Sequence, residues 1–244
     1  MAFLELTKSA KILDLQTTVR VILPDIIEPK KELPVIWLFH GLGDNGSAWA
    51  RKTNLEQLVS TKDWVIIMPD MGRSFYSDMT YGGKYWQYLT CELIPQMQNL
   101  LPISQNPADN YVVGNSMGGY GALKLAFSYP EKFRAVAAIS PVVDLKVVPT
   151  IMSDYQGVFG ENGVFDSQNE LLAIAKQAPV KDLATIKLFQ IIGDEDFLKE
   201  DNDRFHTEIA SVPIETDYQV LPGNHDWIFW NEAIKKVLDW LNHI

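Results

Sequence analysis

Cysteine is almost missing from this chain: Cys91 stands alone among 244 residues. No intramolecular disulfide can form, which suits a reducing compartment. Basic charge is also in deficit, with 21 Lys and Arg against 31 Asp and Glu for a net charge of −10. Nucleic acid is therefore an unsuitable partner, since phosphate binding needs a basic patch. No apolar run approaches the roughly 18 residues of a membrane span. The N-terminal stretch MAFLELTKSAKILDLQ sets Glu5, Lys8, Lys11 and Asp14 among its apolar positions. It lacks the unbroken apolar segment of a secretory signal. The expected setting is cytoplasmic, with no membrane partner. Asn45-Gly46-Ser47 fits the glycosylation pattern, but without secretion that match carries no meaning.

What is present suits a globular protein with a sizeable core: 47% hydrophobic and 21% charged residues, an ordinary balance. Short apolar runs bounded by turn residues predict strands at 19–23, 35–39, 65–68, 111–113, 135–139 and 187–192, with a further edge strand at 218–221. Helical periodicity fills 48–59, 85–101, 117–128, 200–210 and 227–241, with Pro95 expected to kink the second or start it anew. This alternation predicts an α/β protein with a mostly parallel sheet flanked by helices. Residues 142–184 break the rhythm, with no strong strand and one modest helix near 169–176. The expectation is one domain over 1–244 with a cap-like insertion at 142–184.

Residues 111–121, YVVGNSMGGYG, crowd four glycines around one serine after an apolar run. Glycine inside an element costs roughly 0.5–1 kcal/mol relative to alanine, so the cluster needs a geometric reason. Gly114-Asn115-Ser116-Met117-Gly118 fits G-x-S-x-G between a predicted strand and a predicted helix. That is the setting of a nucleophile held on a strained turn, where small neighbours prevent clashes. A phosphate-binding loop is the rival, but the stretch lacks the lysine of a P-loop and fits no G-x-G-x-x-G register. Tight packing alone is the blander alternative.

A serine hydroxyl needs a base, and only four histidines are available. His206 lies in a polar helix, His243 is next to the C-terminal residue, and His40 opens HGLGDN after a strand. His225, in LPGNHDWIFW, sits in a loop between the last strand and the last helix. A carboxylate should follow another strand between serine and histidine. KLFQIIGDEDF offers Asp194, Glu195 and Asp196. A calcium loop beginning at Asp194 would need glycine at its sixth position, and Lys199 stands there. An oxyanion hole would take one N–H from Met117 and another from the FHGLGDN turn. His40 then reads as a residue that shapes the turn.

Together these elements resemble the esterase D family of α/β-hydrolases. The resemblance runs nearly end to end through VRVILP, FHGLGDNGSAW, the YW at 85–86, GNSMGGYGALKLA, YPEKF, AISP, GDEDFL and HDWIFW. It is closest to the small tributyrin-type esterases of lactic acid bacteria. The resemblance implies Ser116 as nucleophile, Asp196 as acid, His225 as base, and the N–H groups of Leu42 and Met117 as the oxyanion hole. It implies a small acyl ester as substrate and no metal or cofactor, and it allows a homo-oligomer. S-formylglutathione hydrolases have a cysteine-containing turn where this chain has HGLGDN, which weakens a glutathione-thioester assignment. Feruloyl or acetylxylan esterase, acyltransferase and non-catalytic binding protein are the remaining alternatives. Trp86, Met117, Tyr120 and Trp227 are the bulky residues expected near the site, and with them a preference for short acyl chains.

Overall fold

The computed structural model describes residues 1–25, 31–163 and 166–244. Eight strands form one sheet: β1 (Ala2–Ala10), β2 (Leu15–Leu23), β3 (Val35–Phe39), β4 (Val65–Pro69), β5 (Asn110–Asn115), β6 (Ala135–Ile139), β7 (Lys187–Gly193) and β8 (Glu215–Leu221). Their spatial order is β1-β2-β4-β3-β5-β6-β7-β8. The β1–β2 and β2–β4 pairings are antiparallel and the rest parallel. The helices that bear on the site are α1 (Ala48–Lys52), α2 (Leu55–Val59), α3 (Met117–Ser128), α4 (Leu171–Gln177), α5 (Lys199–Ile209) and α6 (Trp227–Leu241).

Both faces of the sheet are covered, which is why its central strands are continuous apolar runs rather than alternating ones. VIWLF and AVAAI are buried at every residue. Trp37, Phe39, Val112 and Val136 belong to the core on the α3 side, whereas Ile36, Leu38, Val113 and Ile139 join Trp49 of α1 and Phe229 and Val237 of α6. This is the α/β-hydrolase fold expected from the alternation of strands and helices. No helix of the described residues is long and apolar enough to cross a membrane.

Two expectations change. The N-terminal stretch, considered above only as a candidate signal, forms β1, with exposed Phe3, Glu5, Thr7 and Ser9 alternating with partly covered neighbours. The predicted helix at 48–59 divides because Thr53 leaves helical geometry, its hydroxyl accepting the Leu55 N–H. Of the two outcomes expected for Pro95, the second is found: an α-helical segment starts anew there. The preceding turn, Tyr88–Leu93, widens into a π-helix, and Pro95 sits at the start of the α-helical turn Ile94–Leu100. Proline lacks the N–H that an interior position must donate, so the register change accommodates it. The described part of 142–184 is a set of short helical turns and α4, without a strand; residues 164–165 of this stretch lie outside the described residues.

Candidate active site

In a parallel sheet the loops leaving the carboxyl ends of the strands gather at one edge, where open α/β folds hold their ligands. Four such loops converge here: after β3 (residues 40–47), β5 (Ser116), β7 (194–198) and β8 (222–226). Ser116 has φ 53° and ψ −119°, a left-handed conformation that side chains disfavour. The turn is held by Ser116 N–H donating to Ile139 O at 2.9 Å and by Ser116 O accepting from Tyr120 and Val142.

The surrounding glycines answer to close approach. A Cβ on Gly114 would overlap the Gly118 carbonyl, and one on Gly118 would lie 2.5 Å from Phe39 O. The first would part strand from helix; the second would push α3 off β3.

His225 Nε2 lies 2.9 Å from Ser116 Oγ, and His225 Nδ1 lies 3.0 and 2.9 Å from the two oxygens of Asp196. The Asp196 side chain is fully covered, and its Oδ1 also accepts the Leu198 N–H at 2.9 Å. Asp226, next to His225, caps α6 by accepting from the N–H groups of Ile228 and Phe229. The histidine is thereby fixed at a helix start. Phe197 packs against its ring at 4.7 Å, and Trp230 meets it edge-on at 5.0 Å. The other histidines are elsewhere. His206 stacks on Tyr218, and His243 is exposed at the end of the chain.

The neighbouring carboxylates turn away from His225. Asp194 accepts the Gly223 N–H at 2.9 Å, and Glu195 accepts from the Asn224 amide at 3.1 Å, so both brace the loop that carries the histidine. Further along, Asp201 pairs with Arg204 and Asp203 with Lys199 and Tyr218. Carboxylates dense in sequence are dispersed in space. The N–H groups of Leu42 and Met117 donate to no hydrogen bond among the described residues. His40 is buried beneath the first of these loops. Its Nδ1 bonds the Gly41 carbonyl at 2.9 Å and its Nε2 accepts the Met71 N–H at 3.0 Å. Only the neutral ring makes both bonds. Burial holds its pKa below the ordinary histidine value, against the opposing pull of the Gly41 carbonyl.

Ser116 and His225 open onto a pocket of about 180 Å³, lined also by Gly41, Leu42, Ile151, Phe197 and Trp230. A larger cavity of about 240 Å³ lies between residues 143–146 and α5 and contains neither residue. The expected bulky lining needs correction. Tyr120 is wholly buried, its hydroxyl bonding Asn169 O. Trp86 stacks on Tyr129, with the Lys124 ammonium over its ring. Trp227 faces Trp49, Lys52 and Asp44, and the Met117 side chain enters the core. The Tyr120 side chain, one turn along α3, points into the core. Ile151 and Trp230 line the pocket instead. Trp230 was legible in HDWIFW as a residue near the histidine, whereas Ile151 carried no sequence signal.

Residues 10–241 match the Esterase family, described as "Putative esterase". An acetyl esterase of Caldicellulosiruptor saccharolyticus is 26% identical over 100% of this chain and 99% of its own length. Among solved structures, the Staphylococcus aureus fluorophosphonate-binding serine hydrolase FphF superposes with a TM-score of 0.90 at 26% identity, covering 98% of both chains. The S-formylglutathione hydrolase FrmB of Staphylococcus aureus gives 0.89 at 26% identity, again over 98% of each. The chain belongs to this esterase family and is a carboxylic ester hydrolase of the serine esterase kind.

Proposed function

We propose that the protein hydrolyses short-chain acyl esters through an acyl-enzyme, with Ser116, His225 and Asp196 as a catalytic triad. The observation that carries this reading is the 2.9 Å contact between Ser116 Oγ and a His225 ring whose other nitrogen meets Asp196. In the first step Oγ bonds the ester carbonyl carbon while its proton passes to His225 Nε2. The negative oxygen is received by the Leu42 and Met117 N–H groups. The carbon–oxygen bond to the alcohol then breaks, and the alcohol leaves with the proton from His225. Water repeats the sequence on the acyl-serine, releasing the acid and restoring Ser116 Oγ–H. Asp196 holds the tautomer that keeps Nε2 free to accept and stabilises the imidazolium.

The pocket supports a small acyl group, since drug-sized ligands need about 300–1,000 Å³. The full-length similarity to an acetyl esterase points the same way. FHGLGDN, GNSMGGYG and HDWIFW support a place within the esterase D group, near its tributyrin-type members. Ile151 brings the 142–184 insertion to the pocket, which suits a cap. The likeness to FrmB favours a second reading, thioester hydrolysis with the same groups and a thiolate leaving.

Replacing Ser116 with alanine tests the mechanism. Turnover and fluorophosphonate labelling should both vanish, with a rate loss on the order of 10⁴–10⁶. Activity within about tenfold of the parent would sink the proposal. Acetyl, butyryl, octanoyl, feruloyl and S-formylglutathione substrates, compared by kcat/KM, decide between the ester and thioester readings.

A further inference from the structure

The loop bearing the Leu42 N–H has no helix or strand to direct it, yet an oxyanion donor must stand about 2.7–3.1 Å from the developing charge. At one end His40 bonds Gly41 O, and at the other the Asp70 carboxylate accepts the Gly46 N–H. Between them stands Asp44. Its backbone N–H closes the turn onto Gly41 O at 3.2 Å. Its carboxylate is mostly covered, with 15% of the side chain exposed. Oδ1 accepts from Lys52 Nζ at 2.7 Å, and Oδ2 accepts the indole N–H of Trp227 at 3.2 Å. Trp227 is the first residue of α6, two positions after His225. Its ring meets Trp230 edge-on at 5.0 Å, and Trp230 meets His225 in the same way.

From this arrangement we infer that Asp44 is a positioning residue: its bond to Trp227 sets the Leu42 N–H in register with the segment that carries His225. The inference rests on the ester-hydrolase reading above. Without the bond, the Asp44 carboxylate keeps, among the described residues, the ion pair with Lys52, whose own side chain is 39% exposed, and ion pairs at the surface constrain weakly. Misplacement on the order of 1 Å is enough to lower a rate about a hundredfold. The loss belongs to the transition state, where the oxyanion exists, and not to substrate binding.

Three variants test this: Asp44→Ala, Asp44→Asn and Trp227→Phe, with Lys52→Met as control. They are compared by kcat and KM on p-nitrophenyl acetate and by the rate of fluorophosphonate labelling, whose phosphoryl oxygen takes the oxyanion position. Asp44→Ala and Trp227→Phe should each lose about ten- to a hundredfold in kcat and labelling rate, with KM within about threefold. Asp44→Asn should stay within about threefold of the parent, because its amide oxygen accepts the same indole N–H. Lys52→Met should do likewise. Trp227→Phe keeps an aromatic ring in place, so the question survives if Asp44→Ala does not fold. The inference is overturned if labelling of Asp44→Ala and Trp227→Phe stays within twofold of the parent. It is equally overturned if Asp44→Asn or Lys52→Met is as impaired as Asp44→Ala, or if the loss lies in KM. Failure of the parent protein to label at Ser116 would instead overturn the ester-hydrolase reading.

Discussion

Both carboxylate oxygens of Asp196 lie within 3.0 Å of the same ring nitrogen, Nδ1 of His225. Three adjacent acids follow β7, and only this one faces the imidazole. Its cover strengthens the interaction, because a shielded charge orients and stabilises a cationic ring better than a solvated one. Leu198 donates its N–H to the covered carboxylate, while Phe197, 56% exposed, packs on the histidine. Asp196→Asn should therefore lower kcat by about 10³–10⁴ by presenting the wrong tautomer. Asp194→Asn and Glu195→Gln keep an acceptor for Gly223 and Asn224 and should each cost less than about tenfold. Steady-state kinetics on p-nitrophenyl butyrate checks all three. A crippled Asp194→Asn enzyme would transfer the role of acid to that residue.

His40 should make stability fall with acid. Burial lowers its folded pKa, so below the ordinary value near 6.5 the unfolded chain takes up a proton that the folded ring resists. The contribution is complete above that value and is lost as pH falls toward the folded pKa. A His40→Gln variant lacks this titration. Urea midpoints at pH 7 and pH 5 should show the parent losing more stability than the variant over that interval. Equal losses would mean that the buried ring is not what titrates. At pH 7 the variant should already be weaker by about 1–3 kcal/mol, the cost of leaving the Met71 N–H or Gly41 carbonyl poorly paired.

Lys124 should behave in the opposite direction from an ordinary surface lysine. It is almost fully buried on α3, bonding Ser77 Oγ at 2.7 Å, and its pKa falls to about 8 because burial penalises the ammonium. Asp78 offsets only part of that penalty. With the folded pKa below the unfolded one, the penalty is complete below about 8 and is relieved as pH rises toward 10.5. Relative to Lys124→Met, the parent should gain up to roughly 2 kcal/mol between pH 7 and pH 10. Denaturant titrations at the two pH values measure this double difference. A constant difference would show that the ammonium is already well solvated.

The elements that positioned the site were legible because local chemistry decided them. G-x-S-x-G between an apolar run and a helical one leaves few alternatives, since Gly114 and Gly118 stand where strand and helix touch. Of the four histidines in the chain, His40 and His225 follow strands, and His225 alone lies between the last strand and the last helix. Other features depended on distant partners. β1 exists because Leu15–Leu23 offers it an edge, and its half-exposed alternation was too weak to read alone. The pocket lining was misread because bulk in sequence does not tell direction. Tyr120 and Trp86 are large, but helix geometry turns one into the core and the other onto Tyr129. Ile151 lines the pocket from a segment with no periodic pattern.

Acyl-chain preference follows from that corrected lining. With about 180 Å³ between Leu42, Ile151, Phe197 and Trp230, each methylene the pocket accepts contributes at most about 0.8 kcal/mol, and a chain that overfills it must displace side chains. Butyryl esters should therefore turn over faster than dodecanoyl esters, judged by kcat/KM. Ile151 is the residue to change, because it is partly exposed and lies on a short helical turn, outside the sheet and away from the Ser116–His225–Asp196 contacts. Ile151→Ala should open room for two or three more carbons and raise the octanoyl-to-butyryl ratio of kcat/KM by about tenfold. Trp86→Ala, at a position expected from sequence to line the site but packed against Tyr129, should leave that ratio unchanged. If the Trp86 variant shifts the ratio and the Ile151 variant does not, the acyl chain runs under α3 and not toward residues 142–184.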